Sequence, residues 1–582
     1  MPLSQTKTPA RLTEPATRKL PRNILFWLMS AYILAGLFWR DPWKTDDITG
    51  LATMLSLLEQ PSTWLTTHVG SMPLTQEGPL STWIGALFIA LFSPVFGLFI
   101  DPFEAKIAAS RLPNLLYFFG LMWGIWYGTY LLARRPEAQP LPLPFGGEPN
   151  PRDYGRMMAD VAFLFTIATA GIIVKIHETS PFPLILALHS LAFYGFVRML
   201  DHPIQATAVL SVTISGAFFA HGLLGAGPLI LCTFTLLFTC FYSKRQKFYL
   251  LLALAIATLL AISWTTSSKQ ADLSWFREWW YWNTNSFALE QFSHIAKNMR
   301  DLVWFLWPSW PFAVFALWNW RHWYKSPHIF IPAALMISNF LIVFAISDSF
   351  EMEYAPLTIP MVVLAAMAIP TLRRSVINLL DWYSIMVISL FFITVWLGWI
   401  ALYLGWPSKI NHNIMRLIQG FDVSINYLAV IAGLLITLIW ALLVRWRLSY
   451  NPSAMWRGIV LTAAGATCSW LIIVILWMPA VDYNRSYRLV GQNLAQVVQR
   501  DIPADACVRT QGMGLGQRSA LYVFSGIHFS NSSSCQYVLI QTNSAQLDSE
   551  SKIYADLGTI IWQGQRRSER HGETFLLLKR FN

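Results

Sequence analysis

Fourteen apolar runs punctuate the chain between residues 24 and 478, at roughly 24–39, 82–100, 112–133, 159–176, 181–200, 205–220, 222–242, 248–264, 302–320, 328–346, 355–370, 381–403, 425–444 and 458–478. Each run is about 16–23 residues long, close to what a helix needs to cross hydrocarbon. The pattern predicts a polytopic α-helical membrane protein. After residue 478 the pattern changes. The tail, 479–582, is polar and joins one helical stretch, SYRLVGQNLAQVVQR, to short strand-like runs, ACVRTQ, ALYVF, QYVLIQT and TFLLLKR. That alternation predicts a small α/β domain of ~100 residues, enough for a modest core.

The polar loops decide how many runs cross. Basic clusters lie at Arg134/Arg135 with Arg152/Arg156, at Arg198, Lys244/Arg245/Lys247, Arg321/Lys325, Arg373/Arg374 and Arg445/Arg447/Arg457. Crossing by every run puts all of them outside, against the positive-inside rule; one non-crossing early run puts all of them inside. The run 82–100 contains Gly85, Pro94 and Gly97. It is expected to be a re-entrant or interfacial helix packed on protein. The expectation is therefore about 13 transmembrane helices. Residues 1–23 form a cytoplasmic tail, 24–478 the membrane domain and 479–582 a periplasmic domain. The loop 40–111 then faces outward, and the first run reads as a signal anchor rather than a cleaved signal.

Composition agrees with this picture: 55% of residues are hydrophobic and only 13% charged, so a soluble globular domain is excluded. The 28 tryptophans and 20 tyrosines suit interfacial belts. The net charge of +11 sits in short loops, where it sets topology, and implies no nucleic-acid partner. Cys232, Cys240 and Cys468 lie in apolar runs as packing residues. Cys507 and Cys535 lie in the tail and are able to pair in an oxidising compartment. Arg566, Arg567 and Arg570 give the tail a basic face.

Candidate chemistry gathers on the outward loops. Asp46 and Asp47 open the helix-like stretch DDITGLATMLSLLEQ. The charge on one carboxylate makes its neighbour readier to accept a proton, which suits a base. The pair equally suits a helix start, with Asp46 as cap and Asp47 in the first turn. Glu77 precedes the turn Gly78-Pro79. Arg111 heads the next crossing, either as a donor to phosphate or as a snorkelling interfacial arginine. His177, Glu178 and His221 stand at the ends of crossings on the same side as the acidic loop, where ionisable groups point to a shared pocket. The loop 265–301 carries Trp275, Trp279, Trp280 and Trp282, then His294, Lys297 and Arg300. Its tryptophans fit either sugar stacking or interfacial anchoring. The stretch from Ser347 and Asp348 to Tyr354 closes the set.

The order of these features carries a resemblance. An acidic pair after one crossing is followed by E-G-P-L-x-x-W, A-A-S-R-L-P, a boundary acid, a boundary x-G-x-x-G, LWPSWPF, and an outward S-x-S-x-x-x-x-Y before Pro360. The chain resembles the GT-C membrane glycosyltransferases of the protein-mannosyltransferase-like group, to which the bacterial lipid A aminoarabinose transferase belongs. The resemblance covers most of residues 24–370. It implies transfer of a sugar from a polyprenyl-phosphate donor to a lipid or glycan acceptor, at the periplasmic side of a bacterial inner membrane. It implies Asp46 as the catalytic aspartate with Asp47 as its acidic neighbour. Phosphate or substrate contacts would fall to Glu77, Arg111, Glu178, His221, Arg300 and Tyr354. Two lysines of the family's pattern are absent: none stands at Glu77-Gly78-Pro79, and His221 replaces the lysine before Gly222. A divalent metal is compatible with such a site, but the carboxylates are too scattered to assign one. The competing classes are a flippase for lipid-linked sugars, which calls for an internal repeat of broken helices, and a non-catalytic scaffold of envelope assembly.

Overall fold

A computed structural model describes residues 8–17, 20–144, 146–287, 292–346, 349–450, 454–503, 506–530, 532, 534–543, 557–569 and 572–580. Among them, eight helices are long and apolar enough to cross a bilayer, and three shorter apolar helices accompany them. The molecule is a multi-pass helical membrane protein with a small C-terminal sheet domain. That count does not reach the 13 crossings expected from the apolar runs.

The chain enters with α1 (Arg22–Leu34) and then α2 (Asp46–Glu59), the element on which the site is built. A two-stranded hairpin follows, β1 (His68–Val69) and β2 (Met72–Pro73). Next come α3 (Leu80–Phe96) and α4 (Pro102–Arg111), the latter capped by the Asp101 carboxylate accepting from the Phe103 and Glu104 amides. Asp101 before Pro102 is the expected start signal: a cap oxygen, then a proline where no amide is needed. The apolar run at 82–100 thus becomes α3, which packs on α2 and α4.

The central bundle comprises α5 (Pro113–Ala133), α6 (Pro151–Ala168), the short α7 (Ile172–Lys175), α8 (Phe182–Arg198) and α9 (Pro203–Leu237). Helix α9 is broken at His221 and Gly222, where Gly222 has φ 58 and ψ −143. The chain doubles back there: a Cβ on Gly225 would lie 2.5 Å from the Ala217 carbonyl oxygen. This is the division expected between runs 205–220 and 222–242. Positive φ at the turn is open to glycine and costly for a side chain.

Helices α10 (Lys244–Ala271), α11 (Leu273–Asn285), α12 (Phe292–Phe305), α13 (Ser309–Asn319), α14 (Pro327–Ala345), α15 (Glu351–Tyr354) and α16 (Thr358–Ala368) complete the bundle. Its main core runs through α5, α6, α8, α9, α13, α14 and α16. The amphipathic α18 (Ser408–Leu417) follows α17 (Arg374–Leu404). Helices α17, α19 (Tyr427–Tyr450) and α20 (Ala454–Arg485) share a separate core around Trp440 and Leu461.

Helix α20 continues past Pro479 to Arg485 and leads into the tail. Its helices are α21 (Arg488–Asp501) and α22 (Leu515–Ser525). Its five-stranded sheet has the order β4-β3-β5-β7-β6. The strands are β3 (Val508–Gln511), β4 (Phe529–Ser530), β5 (Tyr537–Asn543), β6 (Gly558–Gly564) and β7 (Glu573–Arg580). Strand β3 runs parallel to β4 and β5, whereas β7 runs antiparallel to β5 and β6. Cys507 and Cys535 form a disulfide. The segment ALYVF, expected as a strand, lies inside α22, and β6 had no counterpart among the expected strands. Arg570 lies outside the described residues. The tail is fused to the membrane domain through α2: Ile48, Leu51 and Met54 share a core with Val490, Leu521 and Phe524. Tyr522 OH donates to Glu59 Oε2 at 2.5 Å, and Arg488 pairs with both Asp41 and Glu104.

Candidate active site

Successive residues on a helix point about 100° apart. Asp46 and Asp47 open α2 after Thr45, so neither is the cap, and their side chains go to different places. Asp47 turns inward and is 1% exposed. Its Oδ2 is 3.1 Å from both the Arg40 and Arg111 guanidiniums. Its Oδ1 accepts from the Thr179 amide at 2.7 Å and from Thr179 Oγ1 at 2.8 Å. Burial alone would push this carboxyl up; the charges of Arg40 and Arg111 and the Thr179 bonds outweigh it and hold Asp47 below the usual carboxylate range.

Both arginines also meet backbone carbonyls, while Arg40 Nη1 and Arg111 Nε make no hydrogen bond. Arg40 donates to the Gly36 and His177 carbonyls, and Arg111 to those of Leu37 and Arg40. Arg111 is 1% exposed. Its charged end faces the protein interior, where it meets Asp47 and those carbonyls. Asp47 likewise sits inside a structural knot rather than at a reactive surface.

Asp46 turns outward, with 43% of its side chain exposed, and meets Lys175 Nζ at 2.8 Å. Lys175 also lies 3.2 Å from Glu178 Oε2. Burial would lower the lysine; the charges of Glu178 and Asp46 reverse that and raise it, so it stays a cation. Sequence reasoning missed Lys175 because it lies in IIVKIHE, within an apolar run. Its signal was a lone cation three residues before the boundary acid. Glu178 is buried, and burial pushes its carboxyl up to about 7 against the pull of Lys175. Glu77 is carried up to about 8, by burial first and by the charge of Asp46 second.

The loop bearing Glu77 is locked against α9. The Gly78 amide donates to the Ala220 carbonyl at 3.0 Å, and a Cβ on Gly78 would meet the Phe219 carbonyl oxygen at 2.1 Å. Only glycine permits that approach. The next residue of the α9 turn, His221, pairs through Nε2 with Glu353 Oε1 at 3.0 Å. Glu353 Oε2 in turn accepts from the Phe350 amide at 2.8 Å. Asp46, Glu77, Glu178 and His221 are thus drawn to one end of the bundle, with Lys175 among the acids and Glu353 on the histidine.

Two other expected contacts are not brought in. Arg300, with 70% of its side chain exposed, pairs with Asp301 beside it rather than with the acidic cluster. Tyr354 is buried, and its hydroxyl donates to the Ser349 carbonyl at 3.0 Å or to Asn298 Oδ1 at 3.2 Å, a packing role. Ser347 and Asp348 lie outside the described residues. In the tryptophan patch, Trp275 and Trp279 are buried and stacked at 5.9 Å, while Trp280 remains 46% exposed. Among the described residues, no group of three or more His, Cys, Asp or Glu side chains is placed to hold a metal ion.

This architecture, a helical bundle with juxtamembrane helices and a C-terminal sheet domain, is shared with solved structures. Among the solved structures it resembles are two of ArnT from Cupriavidus metallidurans. The one bound to undecaprenyl phosphate superposes with a TM-score of 0.65 at 12% identity, over 96% of this chain and 97% of that one. The apo form gives a TM-score of 0.61 at 11% identity over the same shares. No family model matches the sequence, and no curated protein does.

Proposed function

We propose that this chain is an inner-membrane glycosyltransferase that moves a sugar from a polyprenyl-phosphate donor to an acceptor on the periplasmic side, either lipid A or another envelope glycan or protein. The observation that carries the reading is the outward Asp46 paired with Lys175 at one end of a fold shared with ArnT bound to undecaprenyl phosphate. On this reading the N-terminus is cytoplasmic and the tail domain periplasmic, which places the basic loops on the cytoplasmic side.

Asp46 accepts the proton of the acceptor hydroxyl as that oxygen attacks the anomeric carbon. The bond from that carbon to the lipid phosphate breaks, and the configuration inverts. Lys175 supplies the positive charge that the departing phosphate needs, in place of the two lysines missing from the family's pattern. His221 donates to the same phosphate when protonated. Glu77 and Glu178, when they carry protons, let a phosphate approach without repulsion. Asp47 and Arg111 hold α2 and the 177–179 segment in register, so that Asp46 and Lys175 face each other.

Purified protein given undecaprenyl-phosphate-linked sugar and a lipid A-containing acceptor fraction should release undecaprenyl phosphate. A flippase or scaffold would release none. Mass spectrometry of envelope glycans from a strain lacking the protein should show one sugar mass missing.

A further inference from the structure

At the end of the bundle opposite Asp46, a cavity of about 310 Å³ opens between α1, α5 and α6. The chain's direction fixes that placement. Arg22 heads α1, whose far end leads to Arg40, and Arg156 lies early on α6, whose far end leads to Lys175. Arg134, Arg135 and Arg152 crowd the same end.

The lining is chemically divided. Arg22 and Arg156 supply two guanidiniums, and Asp160 supplies one carboxylate. Asp160 is 9% exposed, and its Oδ1 accepts from Trp126 Nε1 at 2.8 Å. Among the described residues, Arg156 makes one loose pair with Asp153 at 3.5 Å, and Arg22 makes no ion pair. The remaining wall is apolar, with Phe26 and Met29 on α1; Phe26 is 57% exposed, on the side where a bilayer would lie.

Among the lining residues two cations face one anion, with Asp153 outside the lining beside Arg156, and Arg134, Arg135 and Arg152 add positive charge at the same end of the bundle. Guanidinium is the side-chain group that best matches phosphate oxygens, by charge and by paired donors. Juxtamembrane arginines of this kind attract anionic headgroups. We propose that this cavity holds one inner-leaflet phospholipid. Its phosphodiester sits between Arg22 and Arg156, and its acyl chains run along Phe26 and Met29. Asp160, fixed by Trp126, limits the site to one negative charge. A phosphodiester headgroup is accepted, and the doubly charged phosphomonoester of a phosphatidic acid is disfavoured.

The test is native mass spectrometry of the full chain, delipidated and titrated with defined lipids. Dioleoyl phosphatidylglycerol should be retained at one molecule per chain. Dioleoylglycerol, which lacks the phosphate, and inorganic phosphate, which lacks the chains, should fail to compete. Arg22→Gln with Arg156→Gln should weaken retention at least tenfold, and Arg22→Gln alone, at an exposed helix start, should weaken it severalfold. Asp160→Asn should raise retention of dioleoyl phosphatidate. Equal retention by the double variant, competition by dioleoylglycerol or by inorganic phosphate, or an Asp160→Asn variant with unchanged preference would each overturn the proposal.

Discussion

Asp46 and Asp47 are adjacent in the chain and carry the same functional group, yet they occupy opposite kinds of environment. Asp47 is sealed beneath α2 with two arginines and a threonine. Asp46 stands at the surface with one lysine and two neighbouring acids. A buried charge persists only when fully paired, and a fully paired group has no capacity left for a substrate. An exposed group keeps that capacity. The pair divides one motif into a strut and a reactive edge.

The largest effect should come from the strut. Asp47→Ala leaves Arg40 and Arg111 buried without a counter-charge, which costs about 3–5 kcal/mol. The expected outcome is loss of folded protein in detergent-solubilised membranes, read by size-exclusion chromatography. The linkage runs in the same direction. Because Asp47 is held below its ordinary value, it stabilises the fold above that value, and the contribution is lost only as pH falls through the lower, folded-state value.

Next in size is the edge. Lys175→Gln should weaken binding of undecaprenyl phosphate at least tenfold while costing less stability than Asp47→Ala, because Asp46 is partly exposed and Glu178 can take up a proton once the lysine's charge is gone. Tryptophan quenching would report the affinity and a melting curve the stability. A large loss of stability would place Lys175 with the strut instead.

A smaller effect is expected from pH. Glu178 and Glu77 hold protons up to about 7 and about 8. Raised carboxyls stabilise the fold below their ordinary range, and that contribution fades as pH climbs through those two values. Binding follows the same sign, since each ionisation adds a negative charge beside Lys175. Undecaprenyl phosphate should bind several times more tightly at pH 6 than at pH 8.5, and Glu77→Gln should flatten part of that slope.

Much of the helical framework was legible because apolar runs and their breaks have local causes. The turn at His221-Gly222 divides α9 where the pattern did, and Asp101-Pro102 starts α4 by its own chemistry. The tail was read less well. ALYVF has the composition of a strand, yet it belongs to α22, which ends at Gly526 with φ 69 and packs on α2. Tertiary packing overrode local preference. In the site, Asp46, Glu77, Glu178 and His221 stood out because each marks a boundary. The fate of Arg111 did not, because its partner Asp47 is 64 residues away. Lys175 was masked by the apolar residues around it, and its role depends on a fold that brings residue 46 to it.

The division between the two carboxylates is tested most directly by Asp46→Asn, assayed for undecaprenyl phosphate release from the lipid-linked sugar beside a melting curve on the same preparation. Transfer should fall by about 10²–10⁴, the usual contribution of a general base, with the melting temperature within a few degrees of the parent. Retained transfer in folded Asp46→Asn protein would contradict the account.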